Sequence, residues 1–357
     1  MTRLEAGIEA IRARHAPDAR LAAWDVRSGE GKWMDGWAPS AEALAELRTL
    51  AAETGAHFAV RPLPDPALGA AVRGAAHRAV AHLRREPSHA SELVTQILLG
   101  EEVLVLRAEG EWLRVQAGDG YVAWVHRHSV VRDAPSDKDA FLRRIRSGDP
   151  EPGAWIVTGR GVVARAGPEP LDPPVAELVQ GGRLVAAPVE DLRLEAIEIL
   201  LPDGLAGWIS STAALPAARL EERFTRSGRA ILDHAAQFLG SPYLWGGTSE
   251  RGYDCSGLVQ RIYGLHGVRL PRDSDQQSEV GEPIDPGSDW GSVQAGDLAF
   301  FSESGGRATH VGILAEGGRM LHCSTTRHGV AWDDLDAGDS EYGARLAAMC
   351  VGVRRVL

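Results

Sequence analysis

Tyr253-Asp-Cys-Ser-Gly-Leu-Val-Gln-Arg-Ile-Tyr263 places a cysteine at the start of an amphipathic segment. Asp254 is a residue type that caps helix N-termini, and Leu258, Val259 and Ile262 recur behind it at helical spacing. Cys255 therefore falls in the first turn, where unpaired backbone N–H groups and the macrodipole favour a thiolate. A thiolate is the better nucleophile, and the same N–H groups can receive the oxyanion of a tetrahedral intermediate. Gly246, Gly247 and Gly252 just upstream allow a turn that brings backbone close to a substrate. A cysteine at a helix start is more often packing than chemistry, so a partner base has to decide.

Ala308-Thr-His-Val-Gly-Ile-Leu-Ala-Glu-Gly-Gly-Arg-Met-Leu-His-Cys323 reads as two strands around an Ala315-Glu-Gly-Gly-Arg319 turn. Side chains alternate along a strand, so the loop length decides whether His310 and His322 share a face. A two-residue loop separates them, whereas a three-residue loop at Glu316-Gly-Gly318 puts them on one face and nearly opposite. One imidazole then hydrogen-bonds the other, which is the base-plus-orienter arrangement a nucleophile needs. Cys323 points the other way from His322, and with Cys350 is expected to be a core thiol.

The chain has 357 residues, enough for two to four domains, and its composition is that of an ordinary globular protein. A net charge of −11 with scattered basic residues disfavours nucleic acid or an anionic membrane as partner. Three cysteines make no disulfide framework. The first twenty residues lack the apolar run of a secretory leader, and no stretch is apolar enough to span a bilayer. With Met1 as the start, the expected compartment is the cytoplasm; a trimmed mature form would be secreted and would read the same. Paired carboxylates for glycosidase work and metal-ligand spacings are not evident. His126 and His128 lack Cys or acidic ligands and read as a surface loop, so no cofactor and no metal are expected.

Upstream, residues 1–75 read as a small α/β unit. Leu21–Val26 and His57–Val60 are expected strands, Ser40–Ala51 an expected helix, and Arg61–Pro66 a Pro-rich end. A weak repeat follows. Ser91–Val105 with Gly120-Tyr-Val-Ala-Trp-Val125 parallels Val175–Val185 with Gly204-Leu-Ala-Gly-Trp-Ile209. Short β-branched strands between glycine turns indicate small barrels, placed at 76–135 and 145–215. Arg219–Gly240 reads as an amphipathic helix with Ile231, Ala235, Phe238 and Leu239 on one face. It leads into the last domain, 222–357.

Tyr243-Leu-Trp-Gly-Gly247, Tyr253-Asp-Cys-Ser-Gly257, Leu270-Pro-Arg-Asp-Ser274, Ala295-Gly-Asp-Leu-Ala-Phe-Phe301 and Thr309-His-Val-Gly312 with His322 occur in that order. The series resembles the NlpC family of papain-like cell-wall cysteine peptidases, and the repeats resemble bacterial SH3-like domains. The resemblance implies a multidomain α+β chain, with two all-β SH3-like barrels followed by a papain-like α+β catalytic domain. It implies Cys255 as nucleophile, His310 as base, His322 as third triad member, and Tyr243 beside the sulfur. The implied reaction cuts the bond between γ-D-glutamate and diaminopimelate or lysine in peptidoglycan stem peptides. Relatives with two SH3-like domains favour short peptides with a free N-terminal L-Ala. For that amine the carboxylate candidates are Glu86 and Glu92, with Tyr121 supplying a hydroxyl. Ser256 and Ser274 suit the γ-D-Glu carboxylate, and Asp254 and Asp273 suit peptide N–H groups. Trp245 is a further contact candidate or a packing residue, and Asp254 reads alternatively as a cap alone. Asp297 reads as a turn former. The competing readings are a wall-binding protein with an inert hydrolase domain, and a thiol amidase or acyltransferase on the same fold.

Overall fold

A computed structural model describes residues 2–29, 33–132, 153–186, 195–336 and 341–357. The N-terminal unit opens with a helix over Arg3–His15 that the sequence reading passed over. Its signal is a capping box, in which Thr2 and Glu5 satisfy each other's backbone N–H groups. Leu4, Ile8 and Ile11 bury one face of it. The expected helix runs over Ala41–Thr54 behind the Ser40 cap. It joins the parallel strands Trp33–Ala38 and His57–Pro62, with Arg27–Gly29 antiparallel at the edge.

Leu21–Val26 is not a strand. Asp18 organises a turn instead, its carbonyl accepting from the N–H groups of Leu21 and Ala22 and its side chain from that of Arg20. Residues 19–25 then run along the first barrel, where the Arg20 carbonyl accepts from the Val122 N–H at 2.6 Å. A local hydrogen-bonding side chain and a docking surface overrode the apolar pattern.

Seven strands between Arg73 and Arg132 form the first barrel, and seven between Ala154 and Pro216 form the second. Counted from its own first strand, each sheet has the same strand order, so the weak repeat is a repeat of topology. The first barrel's opening strand, Arg73–Ala76, lies ahead of the expected start at 76. The expected close at 135 and the opening of the second barrel at 145 fall outside the described residues.

Arg219–Gly240 divides into a 3-10 turn over Ala217–Glu222 and a helix over Gly228–Ala236. Ser227 caps the helix, and a Cβ at Gly228 would fall 1.7 Å from the Ala295 carbonyl oxygen, so the helix begins where only glycine fits. Ile231, Ala235 and Phe238 are buried as expected, while Leu239 is 48% exposed.

The last unit is a six-stranded antiparallel sheet. Its order is Glu282–Ile284, Cys350–Arg355, Leu298–Phe301, His310–Leu314, Arg319–Ser324, Gly329–Asp334. The helix Cys255–Leu265 lays Leu258, Val259 and Ile262 into a core shared with Val311, Ile313, Leu321 and Cys323. That core fixes the start of the helix over the end of the His310 strand. Cys323 is fully buried, whereas Cys350 is only partly so, at the start of the last strand. Among the described residues, no helix is long and apolar enough to cross a membrane.

Candidate active site

Cys255 opens its helix, and Asp254 caps it by accepting from the Gly257 N–H at 2.6 Å. Asp254 also accepts from the Gly246 N–H at 2.9 Å and from both terminal nitrogens of Arg272, at 3.1 and 2.5 Å. Arg272 is 2% exposed and its Nε donates to Thr95 of the first barrel at 2.8 Å. The buried ion pair thus fastens the cysteine turn to the barrel. A charge so buried is tolerated when it is paired and hydrogen-bonded, and each Arg272 nitrogen has a partner here.

The backbone N–H groups of Ser256 and Val311 hydrogen-bond the Cys255 sulfur. Burial outweighs them, aided by the neighbouring Asp254 charge, and pushes the thiol up to about 12. Burial, with the neighbouring His322, pulls His310 down to about 3. Burial thus opposes charge on both groups of the pair. Alkylation of Cys255 by iodoacetamide, followed by peptide mapping, is expected to accelerate continuously from about pH 7 to pH 10. A plateau near pH 8 would contradict this.

His310 Nε2 and His322 Nδ1 lie 2.7 Å apart, and His322 Nε2 lies 2.8 Å from Asp333 Oδ2. The turn between the histidine strands has the three residues Glu316–Gly318, with Gly317 and Gly318 at positive φ. The pairing of Ile313 with Leu321 sets Gly312 across from His322, so the two histidines are diagonal neighbours rather than directly opposite. Gly312 gives them room, since a Cβ there would meet the His322 Cβ at 3.1 Å and the Met320 sulfur at 2.3 Å. Asp333 is 5% exposed, and Arg327 holds its other face. Burial alone would raise this carboxyl, but the hydrogen bonds from His322 and Arg327 hold it down at about 2.

These groups fix the protons. Asp333 is a carboxylate and only accepts, so a neutral His322 ring carries its proton on Nε2 and accepts at Nδ1. His310 then carries its proton on Nε2, leaving Nδ1 as its basic nitrogen.

Cys255 and His310 lie in one cleft of about 920 Å³. Its walls come from three units: Ala19 and Arg20, the 85–124 part of the first barrel, and the last domain. Two family matches cover corresponding parts of the chain. Residues 240–345 match the NlpC/P60 family, and residues 83–130 match the bacterial dipeptidyl-peptidase Sh3 domain. The probable endopeptidase NlpC of Escherichia coli K12 is 36% identical over 134 residues, 37% of this chain and 83% of that protein. The chain belongs to the NlpC/P60 family.

A longer relative is the gamma-D-glutamyl-L-lysine dipeptidyl-peptidase of Bacillus subtilis 168. It is 28% identical over 276 residues, 71% of this chain and 79% of that protein. An NlpC/P60 family protein from Bacillus cereus shares the fold, with TM-score 0.66 and 24% identity over 80% of this chain and 99% of that one.

In this NlpC/P60 enzyme the expected site residues divide by what already occupies them. Tyr243 lines the cleft beside Cys255, and burial followed by the nearby sulfur raises its hydroxyl. Tyr121 lines the barrel side. Glu92 accepts from Arg85 at 2.7 Å and from Trp245 at 2.8 Å, while Glu86 has no side-chain partner among the described residues. Trp245 is 61% exposed, so it does not pack in the core. The Ser256 hydroxyl is turned into the Asp254–Arg272 pair, 2.9 Å from Arg272 Nη1. Ser274 donates to the Ala308 carbonyl at 3.3 Å. Asp254 accepts from five donors of the protein and so serves as a cap and anchor, which leaves it little capacity for substrate N–H groups. Asp273 accepts from Arg20 at 2.7 Å. Asp297 fixes its turn by accepting from the Gln294 N–H.

The sequence reading missed Asp333, Arg272 and Arg20. Arg272 lay inside a quoted motif. Asp333 had a usable signal, an acidic residue at an inward position of the strand following His322.

Proposed function

We propose that this cysteine peptidase hydrolyses the γ-D-glutamyl–diamino acid bond of short peptidoglycan stem peptides bearing a free N-terminal L-Ala. The supporting observation is the cleft itself, which is lined both by Cys255 and His310 and by Glu86 of the first barrel, whose carboxylate has no partner among the described residues. Glu86 receives the substrate ammonium, with the Tyr121 hydroxyl beside it. Glu92 is already engaged by Arg85 and Trp245.

Cys255 is the nucleophile, and its proton passes to His310 Nδ1 as sulfur attacks the γ-carbonyl. Backbone N–H groups at the helix start and the Tyr243 hydroxyl receive the oxyanion. His310 returns the proton to the departing amine, and then deprotonates the water that hydrolyses the thioester. His322 and Asp333 hold the His310 tautomer throughout.

Mass spectrometry of digests of L-Ala-γ-D-Glu-diaminopimelate, run beside intact sacculi, tests the reading. The expected products are L-Ala-γ-D-Glu and free diaminopimelate, with sacculi left intact; release of fragments from sacculi alone would refute it. Acetylating the substrate amine is expected to cost about 2–5 kcal/mol, the size of a truncated buried charge pair. Equal turnover of free and acetylated peptide would remove the proposed amine site. The absence of a membrane-spanning helix among the described residues fits a small diffusing substrate as well as a wall-bound one.

A further inference from the structure

Asp273 stands in the cleft with one oxygen taken. Its Oδ2 accepts from Arg20 Nη1 at 2.7 Å, while no protein donor meets Oδ1 among the described residues. The same guanidinium reaches Asp275 at 2.8 and 2.9 Å and Asp18 at 2.6 Å. Arg307 covers Asp275 from the other side. Arg20 is not a surface arginine that drifted into reach, because its carbonyl is bound by the Val122 N–H, one residue from Tyr121. Leu21 is bound in turn by the Gln116 side chain at 3.1 Å. The N-terminal unit therefore delivers a cation, on a backbone fixed to the first barrel, to a carboxylate of the last domain.

We infer that Arg20 is a specificity-determining residue: it holds Asp273 as an oriented carboxylate whose free oxygen joins Glu86 in receiving the substrate's ammonium. The inference rests on the peptidase reading above and assigns the N-terminal unit a share of the site. Arg20 itself does not touch the substrate; it acts by positioning. Three carboxylates meet two guanidiniums here, so the wall keeps a net negative charge that suits a cationic end of a short peptide. Without Arg20, Asp273 would face Asp275 from a half-buried position with Arg272 as the remaining cation and Tyr121 nearby. Burial already raises this carboxyl against the pull of Arg272 and Arg20, so loss of Arg20 leaves it less opposed and favours the protonated form, which cannot pair with an ammonium.

The test compares kcat/KM for L-Ala-γ-D-Glu-diaminopimelate and its N-acetylated form in the full-length wild type and in Arg20→Ala, Arg20→Lys and Asp25→Asn. In Arg20→Ala the free-over-acetylated ratio is expected to fall at least tenfold, through KM of the free peptide, with kcat within about threefold. Its KM should also fall more steeply than the wild-type KM as pH rises from 6 to 8, because Asp273 regains charge that Arg20 no longer helps it keep. Arg20→Lys keeps one charge but not the fork, and should restore part of the ratio. Asp25→Asn loosens the same unit from Arg107 and Arg114 of the barrel without touching the Arg20 carboxylates, and should leave the ratio unchanged. An unchanged ratio in Arg20→Ala, or an equal loss in Asp25→Asn, would overturn the inference. A wild type inert on the tripeptide would overturn the peptidase reading and this inference with it.

Discussion

Cys255→Ala is expected to lower kcat on L-Ala-γ-D-Glu-diaminopimelate by about a millionfold, the scale on which loss of a catalytic nucleophile is felt. The substitution removes one sulfur at the base of the cleft and leaves the helix intact. Leu258, Val259 and Ile262 still bury their face, and Asp254 still caps Gly257. Peptide binding by calorimetry should therefore survive, which separates lost chemistry from lost structure. Activity within tenfold of wild type would end the assignment of Cys255, since Cys323 is buried against the Tyr253 carbonyl and cannot replace it.

Asp333→Asn is expected to cost about 10³- to 10⁴-fold in kcat with KM little changed, although the two side chains have the same shape. Arg327 is a donor and will keep the amide oxygen, which turns the amide NH₂ toward His322 Nε2. His322 must then accept at Nε2 and carry its proton on Nδ1. That proton points at His310 Nε2, so His310 is driven to protonate Nδ1, the nitrogen required as base. Nitrogen-resolved histidine NMR should show both rings in the switched tautomer, and kcat/KM should fall with them. A variant with the switched spectrum and full activity would mean that the His310 tautomer is irrelevant to the reaction. An unswitched spectrum with full activity would mean that Arg327 does not control the amide.

Much of the site was legible because its residues are local in sequence. A cap before a cysteine, a glycine-rich three-residue turn and two histidines on one strand face are patterns a reader can count. Asp333 and Arg20 were harder for a physical reason. Each acts across a pairing that sequence distance hides, Asp333 through the register of the Arg319–Ser324 and Gly329–Asp334 strands, and Arg20 across three domain boundaries. Leu21–Val26 shows the opposite failure. Its apolar residues suited a strand, yet one aspartate at position 18 and the N–H of Val122 at the start of a barrel strand made it a tether. The choice between Glu86 and Glu92 was undecidable from type and position alone. It turns on Arg85 and Trp245, which reach only Glu92.

The three-part wall of the cleft also has a consequence in time. Ribosomes release the chain from its N-terminus, so the Arg20 tether and the first barrel leave the tunnel well before Cys255 does. The walls of the cleft are therefore synthesised before its thiol. A product that ended early would carry walls and no nucleophile, and a fragment that began late would carry the nucleophile in an open trough. Domain order along the chain thus places enclosure ahead of reactivity.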